Sequence, residues 1–576
     1  MTNMKIMKQL KFLPAIGLLM VFSYSCEDFF YVDDREKLTE EIVINKENDV
    51  KGTWANLYHY LENGFTYIDN ALLANACDEA DMNNPGSQVY KYNNGSWNAY
   101  DNPDNRYSHY FTALRNAMNF LELTDTVNNP RFNYESYRIP DPVKFNTLKR
   151  ELKAYRIDAK FFSAYYHFEL WKRFGEIPIV VKVLTDADVG NLKRNSTEEV
   201  VNHIITLLDE IIPEFDELEL MPESEYLGGA WNGNNIGRIT KGAVLALKCR
   251  TLLYAASPLN NDGQYNTELC DRAARAAADI INLGIYSTSM NYRSIHQDKT
   301  LGNKENILDM RVDNQDFNYL EVWNVPPGGN KAFITPDVCR NATCPSQNLV
   351  DAYETVSGNP VNEQNPYEDR DPRLKMSILT NGDTWNVRKV EAFEGGKDGI
   401  GAINTTTTGY YLKKFLHDRI NLNNNTVAPH IWTIFRYGEV LLNYAEAMYY
   451  AHGPEAKMGY VTNGSDLSAL DAVNQIRQRP GVNMPQKITI SETEIRNERR
   501  VELAFEGHRF WDVRRWMIAG ETESHPLIGM HITKDGESYS YQRFEVEKRV
   551  FESKMYRFPI PQVDIINFNW MQNPGW

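Results

Sequence analysis

The residues of this sequence best suited to chemistry are aromatic rings set among amides. Trp97, Asn98 and Tyr100 sit within NNGSWNAYDN, and Tyr319, Trp323 and Asn324 lie together further on, with Arg340 beyond them. Indole and phenol rings lie flat against the apolar C–H face of a pyranose, while amide and guanidinium groups bond its hydroxyls. The combination suits sugar binding on a shallow, open platform. Trp97 and Trp323 would stack on successive rings, Tyr100 and Tyr319 would extend the surface, and Asn98, Asn324 and Arg340 would meet the hydroxyls. The simpler alternative is that each ring plugs its own loop onto the scaffold.

A second set of reactive side chains falls in Ser491–Trp516, SETEIRNERRVELAFEGHRFWDVRRW. Ser491 and Glu494 form a capping box that starts a helix. Arg499, Glu502, Glu506, Arg509 and Asp512 recur every three or four residues, which places them on one helical face. Interleaved with Phe510, Trp511 and Trp516, they predict a partly buried ion-pair network in place of a solvated rim. An arginine at helical spacing lowers a carboxylate's pKa and unsuits it as a general acid. There is no Gly-x-Ser-x-Gly elbow, Walker loop, Cys-x-x-Cys or His-Glu-x-x-His motif. No metal site and no cofactor follow from the sequence. Asp313–Asp316 and Asp101–Asn105 offer oxygen ligands for Ca²⁺, but neither has the full pattern. A glycosidase's two carboxylates need not be local, and 77 acidic residues leave room for such a pair.

A net charge of −16 disfavours nucleic acid, whose phosphates require clustered Lys and Arg. At the N-terminus Lys5, Lys8 and Lys11 precede an apolar run from Leu13 to Tyr24, too short for a membrane span of about twenty residues. Ser25 directly before Cys26 reads as a lipobox, with residues 1–25 a signal peptide and Cys26 the lipidated first residue of the mature chain. Six cysteines are too few for a disulfide scaffold at this length. Cys77, Cys249 and Cys270 fall in helical segments as small hydrophobes, and Cys339 and Cys344 could close a short loop.

The elements that must position these residues are helices in pairs. Asp49–Asn63 and Tyr107–Thr124 read as amphipathic helices. In the next helix Leu148, Leu152, Tyr155, Ala159, Phe162, Tyr166 and Leu170 step by three and four, and Gly175 and Pro178 stop it. Ser196–Phe215 opens on a second capping box, Thr240 opens another helix, and Leu269–Leu283 is dense in alanine. Ile434–Tyr450 pairs with Leu467–Arg479. Three segments, 83–105, 223–237 and 287–429, are too rich in Asn, Gly, Pro and Asp to be core, and loops on a rigid scaffold are where binding residues concentrate.

The Ser491–Trp516 stretch resembles the C-terminal signature of the SusD/RagB family. Glu498, Arg499, Glu502, Leu503, Phe505, Glu506, Gly507, Arg509, Asp512, Arg514, Arg515 and Trp516 all stand where that pattern asks. WKRFGEIP, GRITKGAVLALK, Asp371-Pro372-Arg373-Leu374, RYGEVLLNYAEA and the terminal PIPQ and QNPG blocks extend the resemblance over nearly the whole mature chain. It implies a mostly α, SusD-like fold. Four tetratricopeptide-like helix pairs would form a solenoid within one domain, 26–576, and the long insertions would carry the binding surface. It also implies that the signature is structural and that the protein is not an enzyme. The implied function is a surface lipoprotein of the outer membrane, with Glu27 and Asp28 similar to a surface-export signal. It would capture oligo- or polysaccharide and deliver it to a SusC-like TonB-dependent transporter. The alternatives are a peptide-binding uptake lipoprotein of the same family and a helical-repeat glycoside hydrolase.

Overall fold

A succession of helices carries the fold, each packed on the next in chain order. They are α1 (Tyr107–Leu123), α2 (Pro142–Phe174), α3 (Thr197–Glu217), α4 (Lys241–Ala256), α5 (Thr267–Asn282), α6 (Tyr437–His452) and α7 (Ala469–Arg477). The computed structural model describes residues 47–69, 71–128, 133–217, 237–297, 303–312, 318–327, 342–385, 388–418 and 428–576. Cys26 and the signal segment, residues 223–236 with Trp231, Asp313–Asp316, Cys339 and Arg340 lie outside the described residues.

Local chemistry sets the helix ends. Asp141 accepts the Lys144 N–H, Pro142 occupies the first turn of α2, and Gly175 closes the helix at a φ of +73°. Ser196 and Glu199 exchange hydrogen bonds of 2.8 and 3.2 Å ahead of α3, and Thr240 accepts the Ala243 N–H at the start of α4. In α5, Ala273, Ala274, Ala276, Ala277 and Ala278 are all buried. Their small side chains let α4 and α6 approach α5 closely. Among the described residues one large cluster of buried apolar side chains runs from Val50 to Ile560, with a small second one at Tyr292, Ile295, Val482 and Met484. No described helix is long and apolar enough to cross a membrane.

The structure departs from three sequence expectations. The helix expected from Ile434 begins only at Tyr437, because Ile434–Arg436 finish the strand β2 (His430–Arg436), antiparallel to β1 (Asn306–Val312). Every residue of β2 is buried, and its β-branched and aromatic side chains suit that setting. The 287–429 stretch is not outside the core. Leu349, Leu374, Ile378, Leu412 and Phe415 are fully buried, because short apolar runs dock between the turns that dominate its composition. The signature is two helices, α8 (Glu492–Glu502) and α9 (His508–Arg515), broken at Phe505 (φ +67°) and Gly507 (φ +78°). Its capping box forms as expected, Ser491 and Glu494 each bonding the other's backbone N–H. The chain then turns through the hairpin β3 (Leu527–Asp535) and β4 (Ser538–Glu547) to its C-terminal segment.

Candidate functional site

The signature's charges are buried more deeply than the spacing predicts, and they pair with distant segments. Glu502 is wholly buried and accepts from Arg373 and Arg436, each at 2.9 Å, and from Arg479 at 2.5 Å. Glu506 accepts from Lys414 at 2.6 Å and from Arg436 at 2.7 Å. Glu305 joins the same group through Arg436 and Arg479, and Asp371 and Glu498 through Arg373. Arg509 grips Asp78 through two bonds of 2.8 and 2.9 Å. Of the five signature residues, only Arg499 and Asp512 pair with each other, at 2.7 Å, so the expectation of one mutually paired helical face is corrected. The turn at Phe505–Gly507 divides that face and aims its halves at different partners. Burial pushes the Glu502 carboxyl up, but Arg479, Arg436 and Arg373 overcome it and hold it well below the usual carboxylate range. Glu506 is held low in the same way, burial being outweighed by Arg436 and Lys414. Both acids stay ionised and have no proton to donate. Arg373, Lys414, Arg436 and Arg479 were missed as partners, although the DPRL and RYGE blocks that contain two of them stood out in the sequence.

The aromatic candidates divide sharply. Trp97 is only 2% exposed, its ring packed 4.9 Å from Tyr92, 5.2 Å from Phe558 and 4.6 Å from Trp576. With its faces covered it cannot stack on a sugar, so the platform role is corrected to packing. Asn98 is exposed, but its Oδ1 accepts the Tyr100 N–H at 2.9 Å, and its backbone bridges to Asp101. It therefore shapes the turn that projects Tyr100, which is 82% exposed. Trp323 is half-buried against the core on the short helix Asn318–Asn324. Asn324 is buried, its amide donating to the Leu320 carbonyl and its oxygen accepting the Thr343 N–H, so its assignment as a hydroxyl partner is also corrected. Of Tyr319 only the backbone, in that same helix, is described. Trp385 is buried as well. The structure thus brings Trp97, Asn98 and Tyr100 onto one turn. A separate element, tied to β2 by a 2.6 Å Glu321–His430 contact, places Trp323 and Asn324. In the Asp101–Asn105 stretch, Asp101 pairs with Lys91 and Asp104 with Arg173, so these carboxylates are committed to cations.

Tyr100 stands at the edge of a cleft of about 210 Å³, shared with Asn102, Asn105, Phe174, Pro561 and Gln562. None of its lining side chains is charged. Phe174, the last residue of α2, is buried beneath it. The C-terminal segment forms the opposite wall. It is pinned to α2 by the Phe558 N–H on the Arg173 carbonyl (2.8 Å) and by the Asn573 amide on the Phe174 carbonyl (2.9 Å). The Gln562 N–H donates to the Ala99 carbonyl at 3.1 Å, which ties that wall to the Tyr100 turn. The Asn102 oxygen accepts the Tyr92 hydroxyl at 2.9 Å and the Asp104 N–H at 3.1 Å, which fixes the orientation of its amide. The exposed Asn105 and the half-exposed Gln562 have no side-chain hydrogen bond among the described residues. The result is an open, preformed cleft with one exposed ring, neutral donors and acceptors, and apolar walls. The Gln562 side of it was not legible beforehand, because the PIPQ block reads as a scaffold segment.

Residues 304–576 match the family described as the SusD family, and residues 28–226 match the one described as starch-binding and associating with the outer membrane. The chain belongs to the SusD/RagB family. A SusD-like protein of Formosa agariphila is 24% identical over 422 residues, covering 69% of this chain and 72% of that one. A SusD-like protein of Bacteroides fragilis superposes with a TM-score of 0.73 at 25% identity, over 92% of this chain and 97% of the other. A SusD-like carbohydrate-binding protein of the same species gives a TM-score of 0.70 at 23% identity, over 91% and 98%. In this SusD/RagB chain, then, the buried charges of α8 and α9 belong to the scaffold, and the Tyr100 cleft is the open surface beside it.

Proposed function

We propose that this SusD/RagB protein is a cell-surface glycan-binding lipoprotein of the outer membrane. It is anchored through lipid on Cys26, and it captures oligo- or polysaccharide for a SusC-like TonB-dependent transporter. It performs no chemistry on the glycan. The observation that carries this reading is the uncharged cleft in which the Tyr100 ring faces solvent beside the Asn102, Asn105 and Gln562 amides. An exposed phenol beside neutral amides is the arrangement that stacks on a pyranose and bonds its hydroxyls. Glu502 and Glu506 of the signature, ionised and spent on arginines and Lys414, do not supply a general acid.

Binding on one ring and a few exchangeable hydrogen bonds is weak, of roughly micromolar order or poorer. Titration calorimetry of the mature chain against a panel of oligosaccharides tests the reading, with Tyr100→Ala alongside. The variant should fold normally and lose binding by roughly tenfold or more, as expected for a hot-spot ring. A folded Tyr100→Ala that binds like the parent would move the site to the Trp323 patch. Release of reducing ends from any glycan in the panel would make the protein an enzyme. Retention on peptides in place of sugars would favour the peptide-binding alternative.

A further inference from the structure

We infer that the Tyr100 cleft selects uncharged sugar units and discriminates against those bearing carboxylate or sulfate, engaging one ring of a longer chain. The inference rests on the glycan-binding reading above and names the class of glycan. It stands first on which charges surround the cleft. No lining residue is a cation, and the cations carried by the segments that build it are already engaged. Lys91 is held by Asp101, and Arg173 by Asp104 and Glu169. Arg194 gives Nε to the Glu176 carbonyl and its two terminal nitrogens to the Met571 carbonyl and the Asn573 side chain. An incoming anion would lose its hydration without gaining a guanidinium or ammonium partner, an uncompensated cost.

In sequence, Asp564 lies two residues beyond Gln562, and Asp101, which follows Tyr100, is paired with Lys91. Asp564 is only 6% exposed, and burial alone pushes its carboxyl up to about 6. A uronate brought into the cleft would add negative charge against a C-terminal wall that already carries the poorly solvated Asp564. The neutral amides fit hydroxyls, since each amide can both donate and accept. Size sets the stoichiometry. At about 210 Å³ the cleft falls below the roughly 300–1,000 Å³ of pockets that enclose whole ligands, so one ring enters while the rest of the chain continues into solvent.

The test uses malto-, cello-, laminari- and manno-oligosaccharides, each paired with a counterpart oxidised to uronate at C6, measured by calorimetry at low and high salt. Any neutral oligosaccharide that binds should do so at least about tenfold more tightly than its oxidised partner. The gap should shrink as salt screens the acids. Asn105→Lys places a cation at the rim and should narrow or invert the ratio, while its melting temperature reports that it still folds. Equal affinity for both members of a pair, with binding still weakened by Tyr100→Ala, would overturn the neutral selectivity and leave the glycan reading standing. Binding that ignores Tyr100→Ala, or no binding by any member of the panel, would count against the cleft itself and against the selectivity with it.

Discussion

Replacing Glu502 with Gln probes the reasoning about the buried charge network most directly. Glu502 is wholly buried, and three guanidiniums contact it, those of Arg373, Arg436 and Arg479. Glutamine keeps the shape and one acceptor but removes the charge, and its NH₂ group is turned against an arginine. Three cations are left sharing Asp371, Glu498, Glu305 and Glu506. Removing one member of a buried ion-pair group costs about 3–5 kcal/mol, because the remaining charges stay desolvated. With an unfolding entropy of about 2.1 cal/mol/K per residue, a chain of this length melting as one unit would lose roughly 2.5–4 °C. Differential scanning calorimetry at pH 7, with matched scan rates, measures it. The Glu502 carboxyl is held low in the folded state, so its contribution is full above the ordinary glutamate value of about 4.3 and is lost as pH falls below it. The gap between parent and variant should therefore hold from neutral pH to about 5 and close in stronger acid. A melting temperature unchanged within about 1 °C would refute the clamp. So would a variant that keeps its stability but loses its glycan.

Trp97→Ala should cost about 3–5 kcal/mol, as for a buried indole, while the folded fraction keeps its ligand affinity; a stable variant that no longer binds would restore Trp97 to the site. Glu79 carries the opposite pH signature to Glu502. Burial, reinforced by the neighbouring Asp78, pushes its carboxyl up to about 8, while one oxygen accepts the Phe505 N–H at 3.1 Å. The parent should lose stability as pH rises from about 4.3 to about 8, and Glu79→Gln should flatten that loss in denaturant titrations run at pH 5 and 8. Cys26→Ala should release the protein from the membrane fraction or leave it unprocessed, and unchanged retention would show that the anchor lies elsewhere.

Much of the scaffold could be read locally. Capping boxes at Ser196 and Ser491, the stop at Gly175 and the three-and-four spacing of α2 are interactions within one turn of chain, so sequence states them outright. The break at Phe505 was harder to see, since a phenylalanine at positive φ has no local signature. The strand at His430–Arg436 was hidden for a related reason, since its partner lies more than a hundred residues earlier, in β1.

The mostly helical class, the family signature and the ionic character of the α8–α9 segment were determined by the sequence alone, because each is written in residue types at fixed spacing. Which charge meets which was decided by the tertiary structure: Arg509 finds Asp78 across 431 residues, and Glu502 finds Arg373 across 129. The same holds for the candidate site. Trp97 and Tyr100 sit three residues apart in one polar stretch, and nothing local distinguishes them. Phe558 and Trp576, arriving from the far end of the chain, bury the first and leave the second in solvent. Burial depends on what packs against a side chain, and here that partner is remote in sequence.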